Sequence, residues 1–390
     1  MKTLVNIFDP NEPLAAYLFL KEKYAEGDKV LFVSTHGERQ AAQVYASLLH
    51  IPESLISLLA FKRDEDRYIY DRICQRLRSR LSPDEEYWVN LAGGTRYIAL
   101  AVQNVFFAFN TTFYYTQTRE NLIVSSFFTD DSCTRTTDII EPIRYRMTLA
   151  EYFTLNNLVH DLDKASHTPL RSFSDASHIF DRFRSRNLST RAFSAIELLR
   201  LHYRGTKRPL SIRAIMNGDD RPKTVRVPGI RELLTQLSFV PRQPDTLLPE
   251  EIDYLTGGWF EEYVYHLLLR AVDPQEIALG VRISRPGESH NNELDVAFIK
   301  ANTLFVVECK TGIATDHLFN EIVYKSAALK EAFLGMACHS YIFTLKNDFD
   351  HRLARVANLM NITLCPKGVL TNRDELDKVT AHMIALTHEP

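Results

Sequence analysis

Residues 293–312, ELDVAFIKANTLFVVECKTG, form two apolar runs on either side of Ala301 and Asn302, and the ionisable side chains of Asp295, Glu308 and Lys310 sit inside them. Length and β-branched content predict a buried β-hairpin, where a desolvated charge costs several kcal/mol (roughly 3 or more) unless it is paired or bound. If Ala301 and Asn302 make the turn, residue 300 faces 303 and, stepping outwards, Asp295 faces Glu308 on one face, about 5 Å apart. Lys310 lies two residues beyond Glu308 and shares that face. A four-residue turn would keep this register, whereas a three-residue turn would break it. Opposed carboxylates repel, so a cation belongs between them, and a hard divalent metal with oxygen ligands suits the position. Lys310 is then placed to orient or deprotonate a water, or to stabilise charge on a phosphate; together these are the parts of phosphodiester hydrolysis. A solvated ion-pair ladder is the competing reading, and Leu304, Phe305, Val306 and Val307 argue against an exposed strand.

The spacing Asp-x12-Glu-x-Lys, preceded by a helix in GGWFEEYVYHLL, resembles the PD-(D/E)xK restriction-endonuclease-like family. In that family an acid on the preceding helix completes the metal shell. On a helical wheel Phe260, Val264, Leu267, Leu268 and Ala271 face the core, with Glu261 at the edge of the stripe and Glu262 on the far side. Glu261 is therefore the expected third ligand beside Asp295 and Glu308, holding Mg²⁺ or Mn²⁺, with Lys310 as the fourth catalytic residue. Cys309 points to the opposite face and is expected to pack. Tyr324 and Lys325, on the following helix, are candidates for contacts around the site or with the substrate backbone, with a solvated helix face as the competing reading.

The first 130 residues alternate differently. TLVNIF (3–8), KVLFVS (29–34), LISLLA (55–60) and YWVNLA (87–92) are short strand-like runs, each followed by a helical segment, at 13–26, 37–49, 64–81 and 95–109. That order predicts a parallel, doubly wound sheet. TTFYYT (111–116) and LIVSSFF (122–128) add an antiparallel hairpin at its edge. The turns DPNEP, STHGER and AGGTR fall at the carboxyl ends of strands, where ligands of open α/β sheets bind and helix N-termini offer N–H groups to anions. AGGTR is not a P-loop, because GxxxxGK[ST] is absent.

Between them, 142–250 reads as a mainly helical connector, and it is basic. From Arg182 to Arg231 there are thirteen Lys and Arg against three acids, in a chain of net charge −3. Such a stretch suits a polyanion, or is a helical face paired with acids of other regions. Five cysteines without a CxxC pair suggest neither a disulfide framework nor a zinc knuckle. Asp9 and Pro10 come too early for a signal peptide, and no run of eighteen apolar residues follows, so a soluble cytoplasmic protein with no membrane partner is expected.

VNLAGGTRYIALAVQNVF together with GGWFEEYVYHLL, NELDV and VVECK resembles the CRISPR-associated ancillary nucleases that carry a CARF (CRISPR-associated Rossmann fold) domain. The resemblance implies an α/β protein with a Rossmann-like CARF sheet over 1–141, the connector, and a restriction-endonuclease-like α/β/α domain over 251–390. It implies a homodimer that binds a cyclic oligoadenylate, commonly cyclic tetra-adenylate, through Asn11, Ser34, Thr35, Gly93, Gly94, Thr95 and Arg96, with His36 and Arg39 as further candidates. Ligand binding would activate metal-dependent cleavage of single-stranded DNA or RNA, or nicking of duplex DNA. The alternatives are a restriction or repair nuclease that needs no activator, and a nucleotide-responsive DNA-binding regulator.

Overall fold

A computed structural model describes residues 1–9, 13–34, 39–61, 70–128, 135–163, 167–218, 225–288, 292–311, 316–329, 338–347, 349 and 351–387. Asn11, Thr35 and His36 lie outside these residues. The N-terminal part runs β1 (Thr3–Phe8), α1 (Leu14–Lys23), β2 (Lys29–Ser34), α2 (Arg39–Leu49), β3 (Ile56–Ala60), α3 (Tyr70–Arg78), β4 (Tyr87–Asn90), α4 (Arg96–Phe106), β5 (Thr111–Gln117), β6 (Leu122–Phe128) and β7 (Arg135–Pro142). The strands form one sheet in the order β3-β2-β1-β4-β5-β6-β7. β1 to β5 are parallel, and β6 and β7 antiparallel. The chain builds outwards from β1 to β3 on one side and from β4 onwards on the other, so the switch point lies between β1 and β4.

β7 was not foreseen, so the β5–β6 hairpin is one strand inside the edge. Its sequence, RTTDIIEP, gives little core signal, and Ile139 and Ile140 are exposed. α1 is buried from Leu14 to Leu20 with no polar face. One reason is α5 (Leu149–Leu155), whose Glu151 accepts hydrogen bonds from Tyr17 (2.6 Å) and Tyr145 (2.5 Å) and pairs with Lys21 at 3.3 Å.

After α5 come β8 (Val159–His160), α6 (Phe173–Arg184), α7 (Thr190–His202), β9 (Leu210–Ser211), α8 (Ile212–Asn217), α9 (Ile230–Gln236), β10 (Thr246–Leu247) and α10 (Pro249–Asp253). A π-turn over Tyr254–Gly258 then leads into α11 (Trp259–Ala271). The rest is β11 (Glu276–Ser284), β12 (Asn292–Lys300), β13 (Thr303–Lys310), α12 (Asp316–Leu329), β14 (Cys338–Thr344), α13 (His351–Leu359), β15 (Ile362–Cys365), α14 (Lys367–Thr371) and α15 (Arg373–Ala385). The second sheet has the order β15-β14-β13-β12-β11-β8. β8 and β15, two and four residues long, are too short to show periodicity.

α6 to α9 share one core with this sheet: Ile196, Leu199, Leu233 and Phe180 cluster with Phe260, Val264, Phe298, Phe305 and Val307. α11 is consequently buried almost all round, beyond the single stripe expected from its wheel. Phe180 of α6 stacks on Tyr263 with centroids 4.3 Å apart and planes 7° from parallel. The other face of the second sheet, Ala297, Ile299, Leu304 and Val306, packs in a cluster that also contains Tyr152 and Phe153 of α5 and Tyr17 of α1.

The hairpin pairs Lys300 with Thr303 and Phe298 with Phe305, the register expected for a two-residue turn. Ala301 (φ 45°) and Asn302 (φ 64°) both adopt the left-handed region that such a turn requires. Asn302, 4% exposed, is gripped from the N-terminal region. Its Nδ2 donates to Asn121 Oδ1 (3.0 Å) and to the Tyr145 carbonyl (2.9 Å), and its Oδ1 accepts from the Met147 N–H (2.8 Å). Asn302→Ala removes all three bonds and orphans the buried Met147 donor. We expect a loss of about 2 kcal/mol or more in urea denaturation, with Asn302→Gly, which keeps the turn but not the bonds, losing less. A loss below about 0.5 kcal/mol for the alanine variant would show that this clasp contributes nothing.

Candidate functional site

The paired rungs of the hairpin run outwards to Val296 and Val307, which leaves Asp295 and Glu308 at the next position, where the two strands part. Asp295 Oδ2 accepts a 2.7 Å hydrogen bond from the Cys309 N–H beyond that last rung. Lys310 Nζ is 2.5 Å from Glu308 Oε1 and 3.5 Å from Asp295 Oδ2. The three side chains thus converge as the register required, with Lys310 as the cation between the acids. Cys309 is buried in the opposite face; burial pushes its thiol well above the usual range, which fits packing rather than chemistry.

Negative charge exceeds what one lysine offsets. Burial first, and the Glu308 charge second, push the Asp295 carboxyl up to about 6. Glu261, on the first turn of α11, is pushed up to about 8 by burial and then by Asp295. Burial pulls the Lys310 ammonium down, but Asp295 and Glu308 outweigh it and hold it above its ordinary value. Glu261 thus shares the electrostatic field of the hairpin acids. Glu262 does not join them: its two oxygens accept the N–H groups of Leu170 (2.8 Å) and Arg171 (2.9 Å), fastening α11 to the start of α6. The donors Glu261, Asp295 and Glu308 are all oxygen, the chemistry of a hard divalent cation. As the side chains are placed, no three acidic, His or Cys side chains among the described residues are gathered closely enough to enclose one. Tyr324 is exposed on α12.

Sequence reasoning missed the part that α7 plays here. Arg200 donates from Nε to the Thr256 carbonyl (3.1 Å) and from Nη2 to Thr311 Oγ1 (3.4 Å), tying the π-turn before Glu261 to the residue after Lys310. Nothing local in the sequence distinguishes this arginine from its basic neighbours.

At the first sheet, the AGGTR turn lies over the end of β1, at the switch point. A Cβ on Gly93 (φ 104°) would stand 2.6 Å from the Ile7 carbonyl oxygen, and one on Gly94 (φ 61°) 2.6 Å from Ile7 Cγ2, so both positions require glycine. Thr95 caps α4, its Oγ1 accepting the Ile98 N–H at 3.4 Å, and both Thr95 and Arg96 are exposed. Ser34 is 1% exposed at the end of β2. Beneath the turn is a buried polar network that the sequence reading passed over. Asn90 Nδ2 donates to Asn6 Oδ1 (3.2 Å), and Asn90 Oδ1 accepts from the Ala92 N–H (3.2 Å) and Thr116 Oγ1 (3.2 Å). The signal was present: asparagine sits at matching places in TLVNIF and YWVNLA, and β1 and β4 pair Asn6 with Asn90.

Residues 13–152 match the family model described as the Card1 CARF domain, and residues 249–383 match the Card1-like endonuclease domain. None of the curated proteins compared with the chain matches it. Among solved structures, protein VC1899 from Vibrio cholerae is similar in fold, at TM-score 0.69 and 17% identity, over 98% of this chain and 97% of that one. Can2 from Sulfobacillus thermosulfidooxidans, in complex with cyclic tetra-adenylate, is similar at TM-score 0.65 and 17% identity, over 99% of both chains. At that identity the likeness is one of fold.

The raised carboxyl groups have a consequence for stability. Asp295 and Glu261 bind protons more readily in the folded chain than in the unfolded one, where ordinary values near 4 apply. The folded state therefore holds more protons over that interval, and metal-free stability falls as pH rises from about 4 through about 6 towards about 8. Asp295→Asn removes one of the two groups. Urea midpoints of the metal-free variant should drop less between about pH 5 and about pH 8 than those of the wild type, and an equal drop would remove Asp295 as a source.

Proposed function

We infer the activity of this protein from its membership of the Card1-type nucleases, in which a CARF domain precedes a Card1-like endonuclease domain: it is a CRISPR-associated endonuclease switched on by a cyclic oligoadenylate. The observation that carries the nuclease reading is the meeting of Asp295, Glu308 and Lys310 at one end of the hairpin, within the endonuclease match, with Glu261 in their field. Glu261, Asp295 and Glu308 would hold Mg²⁺ or Mn²⁺, which when bound supplies Lewis-acid stabilisation of charge on the phosphate. Lys310 assists the attacking water, its ammonium held in place by both hairpin acids. The Cys309 N–H fixes the orientation of Asp295. The substrate is nucleic acid, single-stranded DNA or RNA, with nicking of duplex DNA as a further outcome.

The activator reading rests on the CARF match and on the switch point. Gly93 and Gly94 bring backbone close to the end of β1, and the N-terminus of α4, with Thr95 and Arg96 beside it, faces outwards for phosphate. Asn11, Ser34 and Thr35 complete the proposed ligand set. Can2 holds cyclic tetra-adenylate, and a ring with two-fold symmetry suits a homodimer placing two such turns about one axis. Activation then requires the ligand to prefer the cutting-competent arrangement, since equal affinity for both arrangements shifts nothing.

The test is cleavage of labelled single-stranded DNA, single-stranded RNA and supercoiled plasmid in Mn²⁺, with and without cyclic tetra-adenylate, beside Glu308→Ala. Cutting should need metal, activator and Glu308, and the Glu308→Ala chain should bind the activator as the wild type does. Wild-type cutting by that variant would overturn the site assignment; cutting without activator would leave a nuclease but discard the sensor reading.

A further inference from the structure

The basic segment from Arg182 to Arg231 divides in space. Arg184 pairs with Asp181 (3.1 Å), Arg213 and Arg231 with Asp245 (3.7 and 3.4 Å), and Arg200 with Glu197 (3.0 Å). Arg226 donates to the Asn217 carbonyl. For these cations the structure supplies a local partner. Arg204, Lys207 and Arg208, in the loop after α7, are exposed, and no carboxylate pairs with them among the described residues. A helix C-terminus accounts for cations in its own last turn, here Arg200 and His202, but these three lie beyond it.

The position of that loop is set by hydrogen bonds. Its Gly205 N–H donates to Asp253 Oδ1 (3.0 Å), at the end of the helix that runs through the π-turn into the first turn of α11 and Glu261. Thr206 N–H closes the loop on the Tyr203 carbonyl (3.0 Å), and the Tyr203 hydroxyl is held by the Val225 carbonyl (2.7 Å). One turn earlier, Arg200 ties the same helix to Thr256 and Thr311. Arg191, at the other end of α7, is about 17 Å away along the helix axis.

We propose that the loop after α7 is the backbone anchor of the nuclease site: Arg204, Lys207 and Arg208 hold the strand to be cut by its phosphates, without reading its bases. The proposal rests on the nuclease reading above and assigns the substrate grip to the connector rather than to the endonuclease sheet. Exposed cations on a loop bonded to the helix that leads into Glu261 also offset the repulsion that a polyanion meets on approaching Glu261, Asp295 and Glu308.

The experiment is fluorescence anisotropy on the full-length Glu308→Ala chain, which keeps the strand intact, with cyclic tetra-adenylate present and labelled single-stranded DNA and RNA oligonucleotides over a salt series. Adding Arg204→Ala, Lys207→Ala and Arg208→Ala should weaken binding of both polymers by at least about tenfold and reduce the slope of log K against log salt by about 2. The charge-matched control, Arg355→Ala with Arg373→Ala and Lys378→Ala on α13 and α15, should stay within about twofold. Replacing Arg204 and Arg208 by lysine should retain most of the affinity, which separates charge from packing. Binding by the triple-alanine loop variant within about twofold of the parent, with an unchanged slope, overturns the anchor and leaves the nuclease reading standing. Failure of the parent itself to bind either polymer overturns the anchor together with the single-stranded substrate.

Discussion

The turn at Ala301 and Asn302 is the constraint on which the candidate site depends. Two residues in the left-handed region close the hairpin without a bulge, and with that register Asp295 and Glu308 meet at its far end. A slip of one residue would send one acid to the opposite face of the sheet. An alanine in that conformation is disfavoured, so the surroundings must hold it. Asn302 supplies the means, clasped by Asn121, Tyr145 and Met147, while Phe298 and Phe305 stack across the strands with centroids 4.7 Å apart. The same hairpin thus carries the candidate metal ligands at one end and a buried contact with the N-terminal sheet's own hairpin turn at the other.

Charge organises the other end. Asp295, Glu308 and Glu261 crowd more negative charge into a partly buried place than Lys310 offsets, and burial first, then the neighbouring acid, raises the Asp295 and Glu261 carboxyl groups. A stable core would not build such a cluster without a use for it, because uncompensated buried charge costs several kcal/mol (roughly 3 or more). The connector helices α6 to α9 are part of the same arrangement: they bury α11 on the side away from the sheet, and Glu262 is consumed in fastening it to α6. That leaves Glu261 as the acid of this helix turned to the site, and Arg200 as the stitch between its leading turn and Thr311.

Much of this was legible in the residues themselves. The strands at 3–8, 29–34, 122–128 and 303–310 begin and end where hydrophobic patterning placed them, because each is a short β-branched or aromatic run bounded by turn residues. The choice of Glu261 over Glu262 followed from helical periodicity alone. β7, β8 and β15 were illegible because they are exposed, or only two to four residues long, and are specified by the neighbour they pair with. The Asn6 and Asn90 pair was written in two strands eighty-four residues apart and acquires meaning only once β1 and β4 are adjacent.

The sequence by itself determined the hairpin, its register and the convergence of Asp295, Glu308 and Lys310, since period-2 alternation and a two-residue turn are local and act within twenty residues. It also determined that Gly93 and Gly94 make a tight strand-to-helix turn. Only the tertiary structure decided how the connector helices merge with the second sheet, that Arg200 reaches Thr311, and that Asn302 is held by Asn121. Those contacts join residues about a hundred or more positions apart, and such pairings are selected by packing and by the need to satisfy every buried polar group, which no local pattern encodes.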